Sequence, residues 1–309
     1  MRKQERQWTG VTKGGTLGQW MLIRMLSIVN PTLLYFPLAL IVPFYMLFNK
    51  KEYGAIYEYF RTQWGYFGWK AFSKTYQNHF IFGQCMLDKF AVYAGKKNFF
   101  NVKITGKEEA EKMLHDGRGI VVTTSHVGNF ELLGYLSQLD LPADKNPFST
   151  FQAQNRDFHI MFGQETETIL SNRVRSLSDH GISTVHASDN MTHLFAIRES
   201  LLNGGIVDVT CDRFTGSDKS ITCDFLNGRA DFPTSTFALA AHCNTHVLSV
   251  FCMKESRNCY HIYFKIIDAD EVIQSNEKIN CYVKSYVRGI EEMLGKYPEQ
   301  WFNFYKFWK

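Results

Sequence analysis

The 309-residue sequence has no Cys-x-x-Cys pair and no Cys/His spacing of the kind that holds zinc. Its seven cysteines (85, 211, 223, 243, 252, 259 and 281) are odd in number and scattered. Several lie in apolar runs, where a reduced thiol acts as a small hydrophobe. The expectation is a body kept in a reducing, cytosolic setting, with no disulfide scaffold and no metal. After residue 51 there is no internal repeat, low-complexity tract or Pro/Gly/Ser linker, which excludes solenoids and tethered domain pairs. The body also lacks a basic excess. Seven of the 34 Lys/Arg (Arg2, Lys3, Arg6, Lys13, Arg24, Lys50, Lys51) lie in residues 1–51 against Glu5 alone, leaving 27 basic and 29 acidic groups beyond. A basic head on a faintly acidic body argues against a nucleic-acid binder and suits an anionic membrane surface.

What is present is apolar and aromatic: 45% hydrophobic residues, 15% aromatic and 21% charged, which excludes a disordered chain. Met25 to Asn49 is a run of 25 uncharged residues, above the ~20 needed to cross a bilayer. It starts too late for a signal peptide, and no small-x-small cleavage site follows. Pro31, Pro37 and Pro43 would kink it repeatedly. Both flanks are basic, the N-terminal one more so, and positive-inside would then push the body out of the cytosol, against the cysteine reading. A kinked, shallow or re-entrant anchor, or a span with the body kept inside, removes the conflict. A buried core helix is the plain alternative. The division expected is residues 1–51 as basic segment and anchor, and 52–309 as one domain.

Along the body, residues 54–96 read as helical. Phe99–Ile104 reads as a short strand, Lys107–His115 as a helix, Gly119–Ser125 as a buried strand, and 129–138 as a helix. Strands at 182–187 and 205–211 flank a helix at 192–203, and this alternation predicts βαβ units and a largely parallel sheet. Thr222–Leu226 then reads as a strand, Pro233–Cys243 as a helix, and 246–253 with 259–267 as an antiparallel pair. An amphipathic helix follows over 276–295.

Ser125-His126-Val127-Gly128-Asn129-Phe130-Glu131 carries the sharpest chemistry. His126 directly follows a buried strand, where open α/β sheets bind their ligands. Gly128 permits a tight turn, and Asn129 suits a helix N-cap. On one helix, His126 and Glu131 would point about 140° apart. With His126 in the turn and Glu131 in the first helical turn the two can meet, the carboxylate holding one ring nitrogen and the other left to take a proton. The adjacent helix N-terminus offers amides to a phosphate or oxyanion. A strand-end histidine bonded to a backbone carbonyl is the competing reading. Asp212 and Arg213 follow another buried strand and should open on the same rim, or else form a surface ion pair. Arg229, on an Asn-Gly turn, reads best as a solvated turn arginine, with an anion contact as the alternative. The tail aromatics from Trp301 to Trp308 fit either a membrane interface or packing on the sheet.

HVGNFE at 126–131, CDRFTG at 211–216, DFLNGRADFPTSTFALA at 224–240 and YPEQWFNFYKFWK at 297–309 occur in an order and spacing that resembles the late lauroyl/myristoyl acyltransferases of lipid A assembly. These belong to the wider lysophospholipid and glycerophosphate acyltransferase group. The resemblance covers residues 95–309, with a membrane segment matching 25–49. It implies an α/β fold, a central mostly parallel mixed sheet flanked by helices, with an N-terminal membrane segment. It implies transfer of a fatty acyl chain from an acyl carrier protein (or CoA) thioester to a hydroxyl of a lipid A-type precursor, with no cofactor and no metal. His126 would be the base and Glu131 its partner, while Asn129, Asn155, Asp212, Arg213 and Arg229 would contact substrate. The setting implied is the bacterial inner membrane, catalytic domain towards the cytoplasm. Where the family usually shows an arginine-proline element followed by Asn-Pro, this chain reads Phe151-Gln152-Ala153-Gln154-Asn155-Arg156-Asp157, and Arg213 stands where Gln is usual. These departures leave open an acyltransferase for another acceptor, an aminolipid or aryl polyene-type lipid. A membrane-bound lipid hydrolase or thioesterase and a non-catalytic scaffold are the rivals from other classes.

Overall fold

A computed structural model describes residues 15–132, 158–162, 182–186, 192–214, 219–269 and 274–309. β2 (Ile120–Thr124) is buried at all five positions, as a β-branched run covered on both faces must be. It pairs in parallel with β5 (Ile206–Thr210) on one side and β8 (His246–Lys254) on the other. β1 is Asn101–Thr105, β3 Phe158–Phe162, β4 Ile182–His186 and β9 Cys259–Ile266. Together they form a seven-stranded sheet in the order β1-β9-β8-β2-β5-β3-β4. Only β8 and β9 run antiparallel, as their sequence suggests. The fold is the α/β architecture expected, with a mostly parallel mixed sheet between helices.

Period-two alternation sends neighbouring side chains to opposite faces of the sheet. Val121, Val207, Val247 and Phe251 enter one core, with α3 (Lys50–Thr62), α7 (Ser235–Cys243) and α8 (Ser275–Lys296). Ile120, Val122, Ile206 and Leu248 enter the other, with α5 (Lys107–His115) and the C-terminal half of α4 (Gly68–Tyr93). α8 buries Tyr282, Val283, Tyr286, Val287, Ile290 and Leu294, the face its periodicity marks. α6 spans Thr192–Leu202.

One local expectation is corrected. Pro233 does not start a helix: it ends β7 (Gly228–Pro233), which pairs with β6 (Ser220–Phe225) in a hairpin, and α7 begins at Ser235. A proline, lacking an amide proton, is tolerated at the end of a strand in a two-stranded sheet. The uncharged run is broken at Asn30–Pro31, in keeping with the kinks its prolines predict. α1 (Gly15–Ile28) stops, Asn30 caps a single 3-10 turn at Pro31–Leu34, and α2 runs Tyr35–Phe48 with Pro43 inside it.

The C-terminal aromatics pack inward. Trp301 is sealed from solvent, and Trp308 stacks on Phe225 with ring centroids 5.5 Å apart. Residues 298–309 thus form a strap across the hairpin and the end of β2.

A buried ion pair joins four elements. Asp88 of α4 accepts hydrogen bonds from Lys254 Nζ, Tyr260 Oη and Tyr35 Oη, each at 2.5 Å. Burial pushes its carboxyl up, and Lys254 and the two phenols oppose that. Removing one member of such a pair strands a charge in low dielectric. Lys254→Met should therefore cost about 3–5 kcal/mol in urea unfolding. The double change Asp88→Asn/Lys254→Met should recover part of that loss.

Candidate active site

β2 and β5 run in register, Ile120 beside Ile206 and Thr124 beside Thr210. Continued two residues further, the same face carries His126 beside Asp212. There the side chains meet: His126 Nδ1 lies 2.8 Å from Asp212 Oδ1, and the His126 amide donates to Oδ2 at 2.9 Å. Asn303 Nδ2 adds a third contact to Oδ2 at 3.0 Å. Asp212 is fully buried while the His126 side chain keeps 18% exposure. Burial by itself would raise the Asp212 carboxyl, but the opposing pull of His126, its hydrogen bonds and Arg213 hold it below the usual range.

A carboxylate on Nδ1 fixes the proton there and turns Nε2 into the acceptor. Among the described residues, Nε2 has no hydrogen-bond partner. Phe130 lies edge-on to the ring at 5.1 Å and limits its rotation.

The turn that carries His126 is clamped from both sides. Gly128 donates to Gln300 O at 2.9 Å, Asn129 N to Cys252 O at 2.7 Å, and Phe302 N to His126 O at 2.8 Å. Gly128 has φ 70°, and a Cβ there would come within 2.3 Å of Cys252 O, so only glycine fits. The amides of Gly128 and Asn129 are therefore engaged by protein carbonyls and do not present to a ligand.

The expected site residues separate on inspection. Asp212, expected to contact substrate, takes the ring position expected of Glu131. The Glu131 carboxylate instead pairs with Lys89 of α4, whose side chain is 7% exposed against 37% for Glu131. The reason lies in the register: β5 delivers Asp212 at hydrogen-bond distance, whereas Glu131, in the first helical turn, faces α4. Asn129 is buried and donates to Cys85 O and Tyr260 Oη, both at 3.2 Å, so it supports the turn rather than facing solvent. Arg213 braces the strap, Nε to Asn303 Oδ1 at 2.9 Å and Nη2 to Phe302 O at 3.2 Å, over the Tyr305 ring. Arg229 sits on the β6–β7 hairpin beside exposed Asp224 at 3.5 Å, apart from this group. Asn155 and much of the helix expected at 129–138 lie outside the described residues.

Sequence reasoning missed Asn303, Lys89 and a polar strip leading to the site. Thr124 Oγ1 lies 3.3 Å from Asp208 Oδ1 and 3.2 Å from Thr210 Oγ1. The alternation Asp208-x-Thr210-x-Asp212 was the available signal. Asp208 keeps a solvent-facing edge, yet the crowding protein pushes its carboxyl up to about 7. A carboxyl raised on folding loses stability as pH climbs from about 4 towards its folded pKa. Asp208→Asn should flatten that decline between pH 5 and 8, read from melting temperatures across pH.

The class this defines is an α/β protein with a carboxylate-held imidazole at the carboxyl end of a central parallel strand, an arrangement suited to proton abstraction. Residues 77–309 match the family described as bacterial lipid A biosynthesis acyltransferase, and the chain belongs to that family. Membership makes it an acyltransferase of the lipid A type. A search of curated proteins finds no match.

Proposed function

We propose that this chain is a membrane-bound O-acyltransferase that moves a fatty acyl group from an acyl carrier protein thioester to a hydroxyl of a lipid A-type precursor. The observation that carries it is the His126–Asp212 contact, which leaves Nε2 as a base at the end of β2. Nε2 takes the acceptor hydroxyl proton as that oxygen attacks the thioester carbon. Asp212 balances the imidazolium that forms. The tetrahedral adduct collapses with cleavage of the C–S bond, and the imidazolium returns its proton to the departing thiolate. A thiolate leaves readily, so no covalent enzyme intermediate is needed.

Glu131 stays in the catalytic constellation on the strength of the family resemblance, in a changed role. Paired with Lys89 at the rim, it would orient the acceptor hydroxyl towards Nε2 while Lys89 limits its charge. The first-turn amides of Phe130 and Glu131, which neither Gln300 nor Cys252 engages, would receive the developing oxyanion. The family resemblance supports the choice of donor and acceptor class, and the apolar N-terminal helix supports a membrane setting, which we take to be the inner membrane with the site towards the cytoplasm.

His126→Ala and Asp212→Asn should each lower transfer about 10²–10⁴-fold, the usual worth of a positioned base and its partner. Glu131→Gln should act mainly on turnover with acceptor saturating. The assay is transfer of labelled acyl chain from acyl carrier protein to a lipid A precursor, with melting temperature as the folding control. Near-normal turnover in His126→Ala would refute the assignment. Release of free fatty acid without acceptor would show a thioesterase.

A further inference from the structure

We infer that α1 and α2 dock in one leaflet of a lipid bilayer without crossing it. The inference rests on the membrane-bound reading above, and not on the chemistry.

The outer face of α2 is a stripe of Phe36, Leu40, Phe44 and Phe48, one per helical turn, with Phe36 at 73% and Phe48 at 79% exposure. α2 contains no charged residue, and the stretch Pro31–Phe48 has a mean hydropathy of 1.8 with 22% buried. α1 shows the same pattern, with Leu17, Met21, Met25 and Ile28 exposed. At the far end of α4, Trp69 adds a ring that is 79% exposed. Apolar surface on this scale, absent from ordinary soluble faces, calls for a greasy partner. Lys50 and Lys51 directly follow α2, and Arg24 is exposed on α1, which fits anionic headgroups at the edge of such a surface.

One observation opposes a crossing. Pro31–Phe48 is helical over 18 residues, at the lower limit for the ~30 Å hydrocarbon core, and the break at Asn30–Pro31 keeps α1 from extending it into a longer rod. What holds it back is that the inner face of α2 is locked to the catalytic body. Tyr35 completes the ligation of buried Asp88 at 2.5 Å. Tyr76 Oη donates to Ala39 O at 3.0 Å, and Leu38 fills the space a Cβ at Gly83 would need. To swing out and span, α2 would have to strip Asp88 of a hydrogen bond and open the packing on α4. A helix apolar outside and fastened inside lies in the interface plane.

The test uses the full chain in sealed inside-out membrane vesicles, with a protease-cleavable tag at each end. Both tags should be cut, or both protected, on the same side. Ser27→Cys, in the exposed turn before the break, should gain no labelling over wild type from an impermeant maleimide on the opposite side. Tags cut on opposite sides, or Ser27→Cys labelled from the far side, would overturn the inference. The double change Leu40→Glu/Phe44→Glu should release the protein from phosphatidylethanolamine/phosphatidylglycerol vesicles while leaving its melting temperature unchanged. Continued binding, or no binding by wild type, would equally overturn it. Neither outcome bears on the transfer assay, which is read with soluble donor and detergent-dispersed acceptor.

Discussion

One sealed carboxylate organises the centre of this molecule. Asp212 has no access to water, so an isolated charge there would be strongly disfavoured. It is tolerated because the His126 ring, the His126 amide and Asn303 all converge on it. Those three groups come from two distant parts of the chain, the turn after β2 and the final strap. The same contact that satisfies the carboxylate also sets the ring's tautomer and angle. Stability and the proposed chemistry thus share one hydrogen-bond network.

Beneath that network, support comes in layers. Tyr286 of α8 donates to Thr124 O at 2.8 Å, fixing the last residue of β2 from one face of the sheet. From the other face, Asn129 hangs on Tyr260, and Tyr260 on Asp88. Asp88 is in turn held by Lys254, whose backbone forms a two-way pair with the Gln300 side chain at 2.9 and 2.8 Å. Gln300 closes the circuit through its carbonyl to Gly128. Every residue of the turn from His126 to Asn129 is thereby tied to an element outside it.

Much of this was legible in the sequence where the signal is local. The β-branched run before His126, the glycine at 128, the antiparallel character of 246–267 and the inner face of 276–295 each follow from short-range period or turn chemistry. What was hidden depends on register. Asp212 is 86 positions from His126, and no pattern in either strand states which residues stand opposite. Glu131 is near in sequence, so proximity favoured it, yet α4 draws it away. β7 was obscured because Pro233 carries two meanings, helix start or strand end, and only pairing with Ser220 decides between them. The closing aromatics were ambiguous for a related reason: rings that fill a core and rings that meet lipid have the same composition, and only neighbours such as Phe225 distinguish them.

The strap has a consequence for biosynthesis. Gln300, Phe302 and Asn303 are the partners of the turn at 126–129 and of Asp212, and they lie within the last ten residues. During translation, both strands that flank the imidazole emerge long before those partners do. His126 therefore stays unclamped on the nascent chain until residues 300–303 have emerged from the ribosome. A chain ending before residue 300 would retain nearly all of its sheet and still lack the partners of that turn.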